Sequence, residues 1–223
     1  MHDRFRLVTP PGAHPGDVAA TVRAVTEQFS WRGPIGLAMP FRVKEGVAKT
    51  AANIDDSWIG TNARKLFAKA TGCKVAVIND ADAAGLAEIT FGAGKDHRGT
   101  VLVLTVGTGI GSSLFVNSRL VPNTELGHLR MRGTIAEAWA ANSARKRDAL
   151  TWRAWAERFQ AYLSYAEFLL DPDLIVLGGG ISRPKRTAQY LHLLKTSAEL
   201  VPALLQNEAG IIGAACAARK LRK

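Results

Sequence analysis

The sequence predicts an α/β protein. Three observations carry the prediction. Short Val- and Ile-rich runs alternate with segments of helical period, two of those runs end directly in glycine clusters, and 47% of the 223 residues are hydrophobic, enough for a sizeable core.

Taken in order, GDVAATVRAVTEQFS (residues 16–30) places Val18, Val22, Val25 and Phe29 at helical spacing before a WRGP turn. IGLAM (35–39) reads as a buried strand, and VKEGVAKT as two short strands around Glu45-Gly46. SWIGTNARKLFAKATG is a second helix, closed by Gly72 at its C-cap. KVAVIN (74–79) is a strand, ADAAGLAEITFGAG a helix, and TVLVLTV (100–106) a strand that runs straight into GTGIGS. SLFVNSRLVPN forms a hairpin turning at Asn117-Ser118. Residues 149–170 form a long helix whose Trp152, Trp155, Phe159, Tyr162 and Leu163 follow helical spacing and are core residues first. PDLIVLGGGIS repeats the pattern of apolar run, glycine cluster and helix, and GIIGAACAARKL ends the chain as a small-residue helix. No tandem repeat or obvious linker interrupts the chain.

No apolar run approaches the roughly 18 residues of a membrane span, and MHDRFRLVTPPGAHPGD lacks the apolar centre of a secretory signal, so a cytoplasmic location is expected. Cys73 and Cys216 stand alone, without the spacing of a zinc site or a disulfide framework. The net charge of +10 is uneven: residues 1–112 hold 13 Lys/Arg against 10 Asp/Glu, and residues 113–223 hold 16 against 9. That excess suits polyanionic partners in general, or is simply a solvated basic surface.

Asn79 and Asp80 fall where a strand gives way to a helix, the place where open α/β sheets bind ligands. Asp80 there is either a general base or a charge favouring the following helix start, and for Asp82 the helix-start role is the expected one. GTGIG puts Gly107, Thr108, Gly109 and Gly111 after a strand, as a turn or as a cradle for phosphate. It is neither a P-loop nor a GxGxxG fingerprint. Gly178, Gly179 and Gly180 form a second such loop, and two glycine loops with a strand-end carboxylate fit phosphoryl transfer. TELGH brings Glu125 and His128 near each other, either as a pair that could hold a sugar's adjacent hydroxyls or as a surface pair without function.

The succession TAANIDDSWIGTNAR, VINDADAAGLAE, LTVGTGIGSS, LVPNTELGHL, LGGGIS and PALLQNEAGIIGAA, from about Leu7 to Ala218, resembles the polyphosphate glucokinase branch of the ROK sugar kinases. The resemblance implies an actin-like, ribonuclease-H-like fold with an N-terminal lobe (1–105) and a C-terminal lobe (106–223), the last helix packing toward the first lobe. It further implies a homodimer that transfers a phosphoryl group from polyphosphate or ATP to the 6-hydroxyl of glucose, with Mg2+ accompanying the donor. On this resemblance Asp80 is the general base, Asn53, Asn79, Glu125, His128 and Glu137 contact the sugar, the loop from Gly107 to Gly111 takes phosphate, and Gly178 to Gly180 lie on the donor side.

Departures from the family pattern set further expectations. LRMRGTIAEAW has no cysteine, so no zinc is expected. Pro40-Phe41 stands where the family has Pro-Gly, which predicts a reshaped loop. The family begins with a DxGGSxxK-like phosphate motif ahead of the segment resembling RFRLVTP, and here Met1 stands only a few residues before that segment. Impaired transfer is therefore expected, with a catalytically inactive sugar-binding fragment as the alternative. Arg130, Arg132, Arg145, Lys146 and Arg147 suit a long polyanion, which ranks polyphosphate ahead of ATP. A nucleic-acid partner has only the net charge in its favour and is not expected, nor is a membrane partner.

Overall fold

The computed structural model describes residues 5–52 and 54–222, and these fall into two compact units: Met1–Asp80 with Ala214–Lys223, and Ala81–Gly213. Asn53 lies outside the described residues. The boundary expected near residue 106 falls inside the second unit.

The first unit is built on α1 (Pro15–Gln28), β1 (Ile35–Met39), the ribbon β2 (Val43–Lys44) and β3 (Val47–Ala48), α2 (Ala63–Thr71) and β4 (Val75–Asn79). β1 and β4 pair in parallel from Ile35↔Val75 to Met39↔Asn79, so Asn79 stands at the carboxyl end of the pair. The β2–β3 turn puts Glu45 at φ 56° and Gly46 at φ 84°, the left-handed backbone that a two-residue hairpin turn requires. The helix expected from Ser57 starts only at Ala63, where Asn62 caps it by accepting the Lys65 N–H at 2.9 Å, and Gly72 closes it at φ 70°, the end the sequence predicts.

The core of this unit is aromatic. Fully buried Trp58 lies between Phe41 and Phe67, with ring centres 5.1 and 5.8 Å away, and its indole N–H donates to the Ala13 carbonyl at 2.8 Å. Phe41 does not need a glycine's backbone: it is not among the residues with positive φ, and its ring is 1% exposed in the core.

The second unit begins with α3 (Asp80–Phe91), which shares Asp80 with the first, and continues through β5 (Thr100–Val106), β6 (Ile110–Val116) and β7 (Arg119–Val121). Next come β8 (Arg130–Met131), β9 (Thr134–Ile135), α4 (Ala136–Ala140), α5 (Asn142–Arg147), α6 (Trp152–Leu170), β10 (Leu174–Gly178), α7 (Pro184–Tyr190) and β11 (Glu199–Pro202), and α8 (Ala209–Arg219) ends the order, its last residues counted with the first unit. Asn117 (φ 50°) and Ser118 (φ 61°) make the β6–β7 turn where the sequence places it. The long helix starts at Trp152 rather than 149, because Thr151 caps it through the Ala154 N–H at 3.2 Å.

The main sheet has the order β11-β10-β5-β6-β7, parallel across β11, β10 and β5 and antiparallel beyond. Strand alternation divides its residues between two cores. Leu102, Leu104, Val106, Ile175 and Leu177 share a cluster with Trp155, Phe159 and Tyr162 of α6. Val101, Val103, Leu174 and Val176 share the other with Ile89 of α3 and Phe115. Cover on both faces is why these strands read as unbroken apolar runs.

Candidate functional site

Within the second unit, β5 and β10 are parallel neighbours and Gly178 pairs with Thr105, so both glycine loops leave the same end of the sheet. The first is a tight hairpin turn: Val106 pairs with Ile110, and the Gly107 N–H donates to the Gly109 carbonyl at 2.9 Å. Ser143, near the start of α5, holds the turn from outside, donating its N–H to the Gly107 carbonyl (3.0 Å) and its hydroxyl to that of Thr108.

None of these three glycines has positive φ, so free backbone rotation is not what Gly107, Gly109 and Gly111 supply. At Gly109 the reason is steric: a Cβ would lie 2.3 Å from Glu137 Oε2. The Gly107 and Ile110 N–H groups face inward, the latter donating to Glu137 at 3.1 Å. An anion at this turn would therefore meet the Thr108 and Gly109 N–H groups rather than a full ring of amides.

In the second loop Gly179 has φ 76°, and a Cβ on it would lie 2.7 and 2.8 Å from the Val106 N and O. Conformation and close approach both demand glycine there, and they bring the two turns together. Ser182 fixes this loop by donating its hydroxyl to the Gly179 carbonyl at 2.9 Å.

Glu125, His128 and Glu137 also gather. His128 Nδ1 lies 3.1 Å from Glu125 Oε2, and its Nε2 lies 3.9 Å from Glu137 Oε1. The first is a hydrogen bond and the second too long to be one, though close enough for charge attraction. The three side chains are 36%, 44% and 24% exposed, so part of each reaches the surface. Glu137 is in the first turn of α4, where a carboxylate is electrostatically favoured. Burial, together with the negative charge of Glu137, pushes the Tyr162 hydroxyl well above the usual tyrosine range and keeps it protonated.

The segment carrying Glu125 is tied down by residues whose part in it the sequence reading did not identify. Ser112 donates to the Thr124 carbonyl and accepts the Leu126 N–H, both at 3.0 Å, while Thr124 returns its hydroxyl to the Ser112 carbonyl at 2.9 Å. Asp82, 1% exposed, accepts the Asn123 N–H at 2.9 Å and so tethers this segment to α3. Gly127 permits close approach, since a Cβ there would lie 2.1 Å from the Ile110 carbonyl oxygen.

In the first unit, Asn79 is 9% exposed and donates from Nδ2 to the Phe41 carbonyl at 3.3 Å. Asp80 follows as the first residue of α3. Among the described residues no three His, Cys, Asp or Glu side chains gather into a metal cluster, and no helix is long and apolar enough to cross a membrane.

Two of the five residues of the expected basic track, Arg145 and Arg147, are committed elsewhere. Arg145 stacks over Trp152 at 4.2 Å and donates to Asn142 and to the Leu150 carbonyl. Arg147 and Arg158 both pair with Asp148, at 2.8 and 2.6 Å. Arg130 and Lys146 are exposed, and exposed Arg132 lies 5.7 Å from the Trp139 ring.

Comparison with known proteins accords with this arrangement. Residues 15–144 match the model of the ROK family. The chain is 49% identical over 216 residues to the polyphosphate glucokinase of Mycobacterium tuberculosis, covering 96% of this chain and 81% of that one. It superposes on the inorganic polyphosphate/ATP-glucomannokinase of Arthrobacter sp. strain KM with a TM-score of 0.91 and 46% identity, over 99% of this chain and 89% of that one. The ROK hexokinase of Thermus thermophilus gives a TM-score of 0.71 at 26% identity, over 97% and 90%. With more than half its length matched by the family model and relatives near half identity over almost all of it, the chain belongs to the ROK family.

Proposed function

We propose that this protein is a sugar kinase that transfers a phosphoryl group from polyphosphate, or from ATP, to the 6-hydroxyl of glucose. The observation that carries the reading is the cluster of Glu125, His128 and Glu137, in which Glu125 and His128 resemble the family's sugar-binding motif and Glu137 resembles a further sugar contact, and which is joined through Glu137 to the Ile110 N–H at the glycine turn. Its support from relatives is the 49% identity to a protein named polyphosphate glucokinase and the 46% identity to a polyphosphate/ATP-glucomannokinase.

Within the cluster each carboxylate can accept hydrogen bonds from neighbouring sugar hydroxyls. A sugar with a hydroxyl misplaced leaves an acceptor without its bond, and that penalty is the source of selectivity. Asn79 adds an amide contact. Asp80 takes the proton of the attacking hydroxyl as the P–O bond to the donor breaks; that role comes from the family motif and from its place after a strand end. The Thr108 and Gly109 N–H groups and the loop from Gly178 to Gly180 receive donor phosphates. Magnesium brought by the donor phosphates would supply neutralisation of charge on the transferring group. The protein acts as a homodimer in this reading, as the family resemblance implies, and in the cytoplasm, as expected from the sequence.

The test is formation of glucose 6-phosphate by the full chain with magnesium, supplied with polyphosphate or ATP, beside Asp80→Asn. Turnover that Asp80→Asn lowers at least about a hundredfold is the expected result for loss of a general base. Glucose binding without turnover, with either donor, overturns the kinase reading for this chain.

A further inference from the structure

We propose that Arg183, Lys185 and Arg186 form the track along which a polyphosphate chain lies beyond the phosphates engaged at the two glycine turns. The inference rests on the reading of polyphosphate as donor and adds the residues that would tell it from ATP.

The sequence isolates this stretch electrostatically. From Leu174 to Ala198, 25 residues, there are four Lys/Arg and no Asp or Glu. Arg183, Lys185 and Arg186 follow Gly178, Gly179 and Gly180 after Ile181 and Ser182. Because Gly179 packs on the Val106 backbone, the chain leaving this turn starts beside the hairpin turn of Gly107 to Gly109. Ser182 bonds back to Gly179, α7 begins at Pro184, and within its first turn Arg186 reaches back to donate from Nη1 to the Gly180 carbonyl.

That bond aims a guanidinium along the glycine turn without neutralising it. Arginine has five N–H donors in a planar fork, and among the described residues the Gly180 carbonyl is the only acceptor that Arg186 meets. Arg183 and Lys185 are exposed, and among the described residues neither enters an ion pair. The contrast with the other basic cluster is internal to the same unit: Arg147 and Arg158 share Asp148, and Arg145 is spent on Trp152, Asn142 and the Leu150 carbonyl. Net positive charge therefore remains uncompensated beside the glycine turns, whereas around Asp148 it is partly cancelled.

ATP presents its phosphates to the glycine turns and then becomes an uncharged nucleoside. Polyphosphate continues, with about one negative charge for every phosphate, and each Lys or Arg it meets releases condensed counterions. A row of unpaired cations leading away from the turns benefits the second donor and not the first, and arginine adds a fork that matches phosphate oxygens.

The experiment uses the full chain at saturating glucose and measures KM for long-chain polyphosphate and for ATP over a range of salt concentrations. Equilibrium dialysis of polyphosphate in the absence of glucose supplies a readout independent of turnover. Arg183→Ala/Lys185→Ala is compared with Arg119→Ala/Arg153→Ala, which removes two exposed positive charges elsewhere on the unit. The first pair raises the polyphosphate KM and Kd about tenfold, lowers the slope of log KM against log salt by roughly 1.5, and leaves the ATP value unchanged. The second pair leaves all four where they are.

Equal effects from the two pairs, or equal losses with both donors, overturn the track. If the unmodified chain uses polyphosphate and Arg183→Ala/Lys185→Ala is silent, the track alone falls. If the unmodified chain neither binds nor uses polyphosphate, the donor reading falls and the track with it.

Discussion

Gly109 shows how finely one residue can be tuned to another. A methyl group there meets the end of a flexible side chain, Glu137 Oε2, whereas a methyl on Gly127 meets the rigid Ile110 carbonyl at 2.1 Å. The two alanine variants should therefore part company. Gly109→Ala displaces the Glu137 carboxylate and raises the glucose KM about tenfold with little change in stability, while Gly127→Ala costs about 2 kcal/mol or more of folding free energy. Kinetics beside urea unfolding of both proteins checks this, and similar stability losses in the two would contradict it. The spacing of Glu125 and His128 made their contact legible in the sequence, since three residues bring side chains together in a tight turn. The tether from Asp82 to Asn123 was not, because partners 41 residues apart meet only through the folded chain. The link from Ser143 to Thr108 spans 35 residues and was hidden for the same reason.

At the scale of elements, Glu88 of α3 ties its helix to a distant loop. It is 1% exposed, and its carboxylate accepts the Ala93 N–H at 2.9 Å, the Leu204 N–H at 3.2 Å and the Leu205 N–H at 2.8 Å. It thus closes the end of its own helix and pins the loop after β11. Glu88→Ala strands three amides in a buried place, and the expected loss is about 3 kcal/mol in denaturant unfolding, with Glu88→Gln losing less. A loss below about 1 kcal/mol would show that the loop finds other acceptors. Asp148 joins α5 to α6 through Arg147 and Arg158, whose hydrogen bonds pull its carboxyl down to about 2. A folded value below the unfolded one means that the stabilisation is complete above about pH 4 and fades as pH falls toward 2. Asp148→Asn should flatten the stability–pH curve in that window and leave the rest parallel, as acid titration of the unfolding midpoint would show. Strands and long helices were legible from period alone. The break between α4 and α5 at Ala141 was not, because neither Gly nor Pro marks it and it serves the turn at Gly107, which the Ser143 N–H reaches.

For the molecule as a whole, the residues read from the sequence as sugar contacts make a prediction that needs no phosphoryl donor. A ligand that binds only the folded protein stabilises it by RT ln(1 + [L]/Kd), about 2.7 kcal/mol at a hundred times Kd. For a chain of this length that corresponds to a rise in Tm of roughly 5–10 °C. Glucose should produce such a rise by scanning fluorimetry, and Glu125→Gln and Glu137→Gln should each cut it to about 2 °C or less by replacing a charged acceptor with a neutral amide. The comparison is between shifts and not midpoints, because Glu137 also receives the Ile110 N–H and its replacement lowers the starting Tm by itself. Mannose and galactose serve as probes of which hydroxyls the carboxylates count: a misplaced hydroxyl that leaves an acceptor unpaired costs about 1–3 kcal/mol, enough to erase most of the shift. If all three sugars raise the Tm equally, or if the variants respond like the unmodified chain, then Glu125, His128 and Glu137 are not where the sugar sits.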